Sequence, residues 1–190
     1  MKFKFLDNVT MEYDGSQLSS LYAYRNYNLL GDSVISWVGP CNVKPEFMVD
    51  GEDLNAGEKI CGLKMLHFIL EKFDTSLLAA VAIQRLMTVM AIETLQELKK
   101  DKNEVFHLSR DGDDIFFGDQ KLSISIATVS PVSALIHFAM NVNNEGTPVK
   151  TLALDDLKVD VTAFYKLFFE KLDKELESIK EATQKVHWVR

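Results

Sequence analysis

The chain has 190 residues, of which 47% are hydrophobic and 26% are charged, and its formal net charge at pH 7 is −7. This composition is that of an ordinary globular protein and excludes disordered and fibrous chains. The acidic balance disfavours a general DNA- or RNA-binding protein, because such proteins usually carry a surplus of basic residues. We expect one domain over residues 1–190, since a chain of this length fits the usual domain size.

Three features bear on the compartment. The only two cysteines, Cys41 and Cys61, cannot build a disulfide framework or a cysteine-based zinc site, and two free thiols are typical of a cytosolic protein. The N-terminus has no long apolar stretch, so we predict no signal peptide. The most apolar segment, residues 77–92, is too short to span a bilayer. The sequence therefore predicts a cytoplasmic protein without a membrane partner.

The first third of the chain predicts three elements and a long connection. Residues 2–13 indicate a strand or hairpin, and Ser16 is placed to cap a helix that runs to about Leu30. Residues 34–38 form a short apolar run, which indicates a buried strand. Residues 41–62 are irregular and contain several glycines, and a loop of this length is often functional.

The remaining segments complete an α+β pattern. Residues 64–73 favour a strand, and the capping residues 74–76 introduce a helix to about Lys99 whose apolar character predicts a buried central helix. Residues 161–183 predict a long amphipathic C-terminal helix. Between these helices we expect four strands, at about 104–108, 114–117, 121–128 and 134–142, with hairpin turns at 111–112 and 118–119. This order predicts an α+β fold with a largely antiparallel mixed sheet.

Two of the predicted strands indicate a ligand site. Side chains alternate along a strand, and residues 121–128 and 134–142 each have one apolar face and one polar or small face. If the apolar faces lie together, one surface carries Lys121, Ser123, Ser125, His137 and Asn141. Small residues leave room there and polar ones donate and accept hydrogen bonds, as the floor of a small-molecule pocket requires. A solvated outer sheet face is the alternative.

Three segments carry a resemblance to a known family. They are residues 112–115 (Gly-Asp-Asp-Ile), 118–123 (Gly-Asp-Gln-Lys-Leu-Ser) and 136–142 (Ile-His-Phe-Ala-Met-Asn-Val). Together they resemble the catalytic core of the biotin- and lipoate-protein ligase superfamily, which includes the lipoyl (octanoyl) transferases and has a class II synthetase-like fold. The chain as a whole also resembles a prokaryotic domain family of unknown function with this fold. The resemblance implies that Lys121 contacts the acyl group of a ligand.

The departures from that family limit what the resemblance implies. Residues 50–62, where the ligases carry the arginines and glycines that hold an adenylate phosphate, contain no arginine and are acidic in their first half. No cysteine follows Asn141, where the octanoyl transferases form an acyl thioester, and Phe138 replaces the glycine that follows the family's histidine. The cofactor therefore stays unassigned.

Arg85 and the two histidines each allow a structural and a functional interpretation. Arg85 lies within the apolar helix, and a buried guanidinium needs either an acidic partner, such as Glu71, or an anionic ligand. We include Arg85 among the candidate substrate-binding residues. His67 and His137 lack the close spacing of a metal motif, so we expect packed, hydrogen-bonded histidines and no metal.

The sequence leaves the function open among several classes. One is an enzyme, a ligase or acyltransferase, in which Lys121 stabilises the developing charge on an acyl oxygen. Another is a non-catalytic ligand-binding protein on the same fold. A third is an accessory protein of tRNA or modified-nucleoside metabolism, against which the acidic charge argues. The expected partner is a small molecule such as an acyl compound or a carboxylate, and a homodimer is compatible with the sequence.

Overall fold

The computed structural model describes residues 1–7, 9–100, 107–145, 147 and 149–189. Its elements follow one another in an irregular order of strands and helices. The strands are β1 (Lys2–Phe5), β2 (Ser33–Asn42), β3 (Cys61–Phe73), β4 (Ser109–Asp111), β5 (Asp114–Phe117), β6 (Gln120–Lys121), β7 (Ser123–Val129) and β8 (Ser133–Asn141). The helices are α1 (Tyr22–Tyr27), α2 (Gly51–Ala56), α3 (Leu77–Lys100) and α4 (Val161–Gln184), with a 3₁₀ turn at Pro45–Phe47.

A five-stranded sheet forms the centre, in the order β1-β2-β3-β8-β7. β1 pairs with β2 in parallel, and the other neighbours in this sheet are antiparallel. β4, β5 and β6 form a smaller antiparallel sheet. The predicted α+β class is confirmed. Both predicted hairpin turns are present, and Gly112 and Gly118 adopt the positive φ angles, 59° and 60°, that favour glycine in such turns.

α3 and α4 cover one face of the central sheet, which we call the helix face. The hydroxyl of Ser76 accepts a hydrogen bond from the amide of Ala79, so α3 begins where its predicted cap lies. Asp160 caps α4 in the same way. Between the helices and the sheet lies an apolar core, whose largest buried rings are Phe68, Phe138, Phe164 and Phe168.

The outer side of α3 differs from the prediction of a helix buried all round. Leu78 is 81% exposed, and Arg85 and Val89 are exposed too. By length and composition alone, residues 77–99 could cross a membrane, and they extend beyond the apolar run recognised in the sequence. Because its inner side packs against the sheet and α4, α3 is a core helix with one solvent-facing side.

The opposite face of the sheet, which we call the cavity face, is covered by short segments. Tyr13 and Trp37 are buried there beside apolar residues of β2, β3 and β8. The indole nitrogen of Trp37 donates a hydrogen bond to the carbonyl of Met11 at 2.9 Å. This bond fixes the segment that precedes α1 against the sheet.

The N-terminal helix is shorter than predicted, because side-chain contacts replace its first turns. The carboxylate of Asp14 accepts hydrogen bonds from the amide and the hydroxyl of Ser16, which stabilises a turn. Leu21 adopts a left-handed conformation, with φ of 62°, and its amide donates to Glu71 of β3. α1 therefore begins only at Tyr22, and it ends at Tyr27, because the next residue, Asn28, is also left-handed.

The segment between β2 and β3 contains more structure than the irregular loop that the sequence predicts. The carboxylate of Asp50 accepts hydrogen bonds from the amides of Glu52 and Asp53 and so caps α2. The strand predicted at residues 104–108 falls largely on residues outside the described part of the chain. β4 begins at Ser109.

Candidate functional site

A cavity of about 240 Å³ lies on the cavity face, beside the edge strand β7. The 3₁₀ turn, α2 and the β5–β6 hairpin each contribute residues to its lining. Its apolar wall includes Tyr13, Ile60, Ile124 and Ile126. Its polar wall consists of Asp50, Asp53, Asp113, Asp114, Lys121, Ser125 and His137.

The pairing of β7 with β8 corrects the predicted arrangement of faces. Ile126 lies opposite His137 and Ile124 opposite Ala139, whereas Ser125 lies opposite the buried Phe138. Ser123 and Ser125 therefore share a face with apolar residues of β8, and the two apolar faces do not coincide. Pairing register decides this, because a shift of one residue exchanges the two faces of a strand.

Lys121 reaches the cavity from a different sheet. It ends β6, and the strand pattern breaks at Leu122, whose amide bonds to the carbonyl of Ile115. The ammonium of Lys121 forms an ion pair with Asp114 at 2.7 Å, and both side chains are about 30% exposed. Lys121 and His137 line the same cavity, but the expectation that they lie on adjacent antiparallel strands of one sheet is wrong, because Lys121 belongs to the small sheet.

The carboxylates give the cavity an acidic character. Burial raises the pKa of Asp114 above its usual range, although the ammonium of Lys121 opposes this shift. Burial also raises the pKa of Asp53, the negative charge of Asp50 adds to the effect, and Lys121 again opposes it. Four aspartates and one lysine belong to the described wall of the cavity. The site therefore suits a neutral or positively charged group better than a phosphate.

Ser125 belongs to a hydrogen-bonded group at the edge of the cavity. Its hydroxyl donates to Asp113 at 2.7 Å, and the amide nitrogen of Gln84 donates to both residues at 2.8 Å. The hydroxyl of Thr88 donates to the Asp113 carbonyl. The group links α3 to the turn before β5, and it gives the buried Gln84 the partners that a buried amide needs.

The two central histidines bond directly to each other. Nε2 of His137 lies 3.1 Å from Nδ1 of His67, and Nε2 of His67 lies 3.1 Å from the carbonyl oxygen of Gly39. Burial lowers the pKa of His67 to about 4, and burial together with the neighbouring His67 lowers the pKa of His137 well below its usual range. Both rings are therefore neutral at pH 7.

Aromatic rings enclose this histidine pair. The ring of Tyr13 stacks on His137 with centroids 3.6 Å apart, and Trp37 stacks on His67 at 4.8 Å. Burial is also the main cause that raises the pKa of Tyr13. Tyr13 could not be recognised from the sequence, because nothing in its local sequence indicates that the chain returns it to the centre of the sheet.

Two predicted site residues lie beside the cavity and support it through the backbone. The hydroxyl of Ser123 accepts a hydrogen bond from the amide of Ile115. The side-chain amide of Asn141 donates to the carbonyls of Lys121 and Leu152, each at 3.2 Å. Asn141 therefore helps to position the segment that carries Lys121.

The prediction that Arg85 is buried is wrong. Its side chain is exposed on the outer side of α3, with its guanidinium near Gly112, and it does not line the cavity. The reason is rotational: the adjacent Gln84 occupies the inward position on the helix. The apolar neighbours of Arg85 in sequence include residues on the same exposed side of the helix.

Neither cysteine lines the cavity. Cys41 is buried, and its burial raises the pKa of the thiol to about 12, so a reactive thiolate is not favoured there. Among the described residues, no group of three or more histidine, cysteine, aspartate or glutamate side chains is arranged to hold a metal ion.

Comparison with solved structures shows a common fold. A protein of unknown function from Pyrococcus horikoshi is 40% identical, with a TM-score of 0.92 over 100% of this chain and 99% of that one. The biotin protein ligase of Aquifex aeolicus is 13% identical, with a TM-score of 0.60 over 95% of this chain and 71% of that one. A lipoate-protein ligase A bound with ATP is 17% identical, with a TM-score of 0.54 over 93% and 86%. The biotin/lipoate ligase-like fold is thereby confirmed.

Comparison of sequences places the chain in a family. An uncharacterized protein of Methanocaldococcus jannaschii is 30% identical over 182 residues, which cover 92% of this chain and 80% of the relative. The model of the family described as "Domain of unknown function (DUF366)" matches residues 1–187. The chain therefore belongs to the DUF366 family.

Proposed function

We propose that this protein binds a small organic molecule in the cavity, with an uncharged acyl or amide oxygen of the ligand in contact with Lys121. The observation that carries the proposal is the ion pair between Lys121 and Asp114, at 2.7 Å on the cavity wall. A lysine held in this way keeps further N–H groups for a ligand, because an ammonium has three donors.

The negative charge of the cavity wall determines which ligand groups can bind beside Lys121. Asp114 already offsets the charge of Lys121, and Asp50, Asp53 and Asp113 add negative charge nearby. A carboxylate or a phosphate would be repelled by these groups, whereas a neutral carbonyl accepts a hydrogen bond from Lys121 without that cost. We therefore expect ATP to bind weakly. The volume of about 240 Å³ lies just below the usual range of drug-sized pockets and suits a small ligand.

The fold supports the same type of ligand. Structures with this fold include a biotin protein ligase and a lipoate-protein ligase, although at 13% and 17% identity only the fold is shared. Within this fold the protein is an acyl-transfer enzyme if the ligand turns over and a binding protein if it does not. In the enzymatic case Lys121 would stabilise negative charge on the acyl oxygen.

The test is a thermal-shift screen followed by calorimetric titration of the compounds that stabilise the protein. The screen contains matched amides, esters, carboxylates and ATP, and we expect neutral acyl compounds to stabilise most. Lys121→Met should weaken their binding about ten- to a hundredfold, because a hydrogen bond to a charged group contributes roughly 1.5 to 3 kcal/mol.

The matched control is Lys150→Met. Lys150 also forms an ion pair, with Asp119 at 2.8 Å, but it is exposed and does not line the cavity. Its substitution should leave binding unchanged. Equal affinities of the wild type and Lys121→Met would contradict the proposed role of Lys121.

A further inference from the structure

The hydrogen bonds of His67 and His137 determine where their protons lie. The carbonyl oxygen of Gly39 can only accept a hydrogen bond, so Nε2 of His67 must carry the proton. In a neutral ring the other nitrogen, Nδ1, is then an acceptor. Since Nδ1 of His67 faces Nε2 of His137, that nitrogen of His137 must be the donor. Nδ1 of His137 is left without a proton.

The surrounding backbone makes this chain of bonds rigid. Gly39 lies where the pairing of β2 with β3 shifts register, and a Cβ atom at this position would lie 2.1 Å from the carbonyl oxygen of Met11. Any larger residue would force the backbone of residue 39 or of Met11 to shift, and the carbonyl of residue 39 is the one that fixes the proton on His67. Tyr13 and Trp37 stack on the two imidazole rings and limit their rotation.

His137 completes the polar wall of the cavity. It is 2% exposed, it lines the cavity, and within the described residues no group donates a hydrogen bond to its Nδ1. The carboxylates of the wall are acceptors as well, and the hydroxyl of Ser125 already donates to Asp113. The cavity wall therefore offers many hydrogen-bond acceptors and few donors that are not already bonded within the protein.

We propose that His137 selects ligands that carry an N–H or O–H group, because its Nδ1 offers a lone pair to the cavity and His67 fixes that state. The inference rests on the proposed function, since it requires a small molecule in the cavity. The ligand then carries a hydrogen-bond donor in addition to its acyl oxygen, as a primary or secondary amide or a hydroxylated acyl compound does. His67 is a positioning residue that acts through His137.

A first experiment tests the proton positions without any ligand. The ¹⁵N NMR spectra of the wild-type histidines should show Nε2 protonated and Nδ1 unprotonated in both His67 and His137 at pH 7. His67→Phe keeps an aromatic ring but removes the acceptor, so His137 should then populate the other tautomer. Protonated Nδ1 in wild-type His137 would overturn the inference and would leave the proposed role of Lys121 untouched.

A second experiment uses two probes that differ in their donors. Hexanamide and N,N-dimethylhexanamide share a carbonyl group, but only hexanamide has N–H groups. By calorimetry, hexanamide should bind the wild type about tenfold more tightly, as expected for one hydrogen bond. Equal binding of both amides, or binding of neither, would overturn the inference.

Two variants test whether the preference for hexanamide comes from its N–H groups or from another difference between the two amides. His137→Phe keeps a ring for Tyr13 to stack on but lacks an acceptor, so the preference for hexanamide should fall to about onefold. His137→Asn places an amide oxygen near the former Nδ1 and should restore part of it. A preference that persists in His137→Phe would reflect the larger size of the dimethyl compound and would refute the inference.

Lys121→Met distinguishes this inference from the proposed function. It removes the contact to the carbonyl that the two amides share, so both should bind more weakly while their ratio stays at about ten. If Lys121→Met has no effect but the ratio disappears in His137→Phe, the role of Lys121 fails and that of His137 stands. The reverse result would refute only the inference about His137.

Discussion

The two faces of the central sheet are covered in different ways. Two helices of 24 residues each cover the helix face, where phenylalanine rings and aliphatic side chains fill the core. The cavity face is covered by two six-residue helices, a 3₁₀ turn and loops, and it contains a buried histidine pair and a cavity. Long regular elements can bury a continuous apolar stripe, whereas short irregular ones leave space that polar groups can line. We therefore assign stability mainly to the helix face and ligand binding to the cavity face.

The largest effect is expected for Phe168→Ala on the helix face. Phe168 is fully buried and contacts the rings of Phe68, Phe138 and Phe164 at centroid distances of 5.0 to 6.0 Å. Its truncation should lower the free energy of unfolding by about 3 to 5 kcal/mol, as measured by urea denaturation. Phe47→Ala on the cavity wall is the control, because Phe47 is 38% exposed, and it should cost below about 1 kcal/mol. Similar losses of unfolding free energy in both variants would contradict the assignment of stability mainly to the helix face.

The second largest effect is the dependence of the free energy of unfolding on pH, which arises from the histidine pair on the cavity face. The pKa of His67 in the folded protein is about 4, below its value of about 6.5 in an unfolded chain, so protonation favours unfolding. This contribution to stability is complete above pH 6.5 and is lost as the pH falls toward 4. Between pH 7 and pH 5 the free energy of unfolding should fall by about 2 kcal/mol for His67, and His137 should add to this loss.

Denaturation curves measured at several pH values test that expectation. His67→Phe should flatten the dependence between pH 7 and pH 5, because one of the two buried groups that gain a proton on unfolding is gone. His187→Phe is the matched control, since His187 is exposed near the C-terminus. A pH dependence that is the same in His67→Phe and the wild type would show that the histidine pair is not the source.

A smaller effect is expected for Asn141→Ala, because Asn141 connects β8 to the backbone of Lys121. Asn141 is 5% exposed, and its amide satisfies the carbonyls of Lys121 and Leu152. The loss should cost about 1 to 3 kcal/mol and should also weaken binding of hexanamide. Asn26→Ala removes an exposed hydrogen bond to the carbonyl of Tyr22 and should be nearly neutral. Unchanged stability and binding in Asn141→Ala would mean that Asn141 does not position Lys121.

The smallest effect is expected for Arg85→Met. Because Arg85 is exposed on α3 and lies outside the cavity, the change should alter the free energy of unfolding by less than about 0.5 kcal/mol. Binding of hexanamide should also be unchanged. A loss of several kcal/mol in the free energy of unfolding would support a structural role of Arg85, and a loss of affinity for hexanamide would support a role in ligand binding.

Part of the site could be predicted because it depends on neighbours in sequence. The acidic pair 113–114 lies close to Lys121 along the chain, and the hairpin between them brings Asp114 to its ammonium. The structure brings Lys121, Ser125 and His137 to one cavity, but through a different arrangement of strand faces from the one that the sequence analysis assumed. The assumed contact between apolar faces fails, and Lys121 reaches the cavity only because the strand pattern breaks at Leu122.

The sequence by itself determined the elements whose causes are local. The cap Ser76, the apolar stripe of α4 and the glycine turns of the hairpins act within a few residues. Only the tertiary structure decided the pairing of β7 with β8, the outward position of Arg85 and the meeting of Tyr13, His67 and His137. These depend on segments far apart in the chain, and each strand or helix alone would accept more than one rotation or register. The free energy that selects among them comes from burying side chains against distant partners, which no local pattern records.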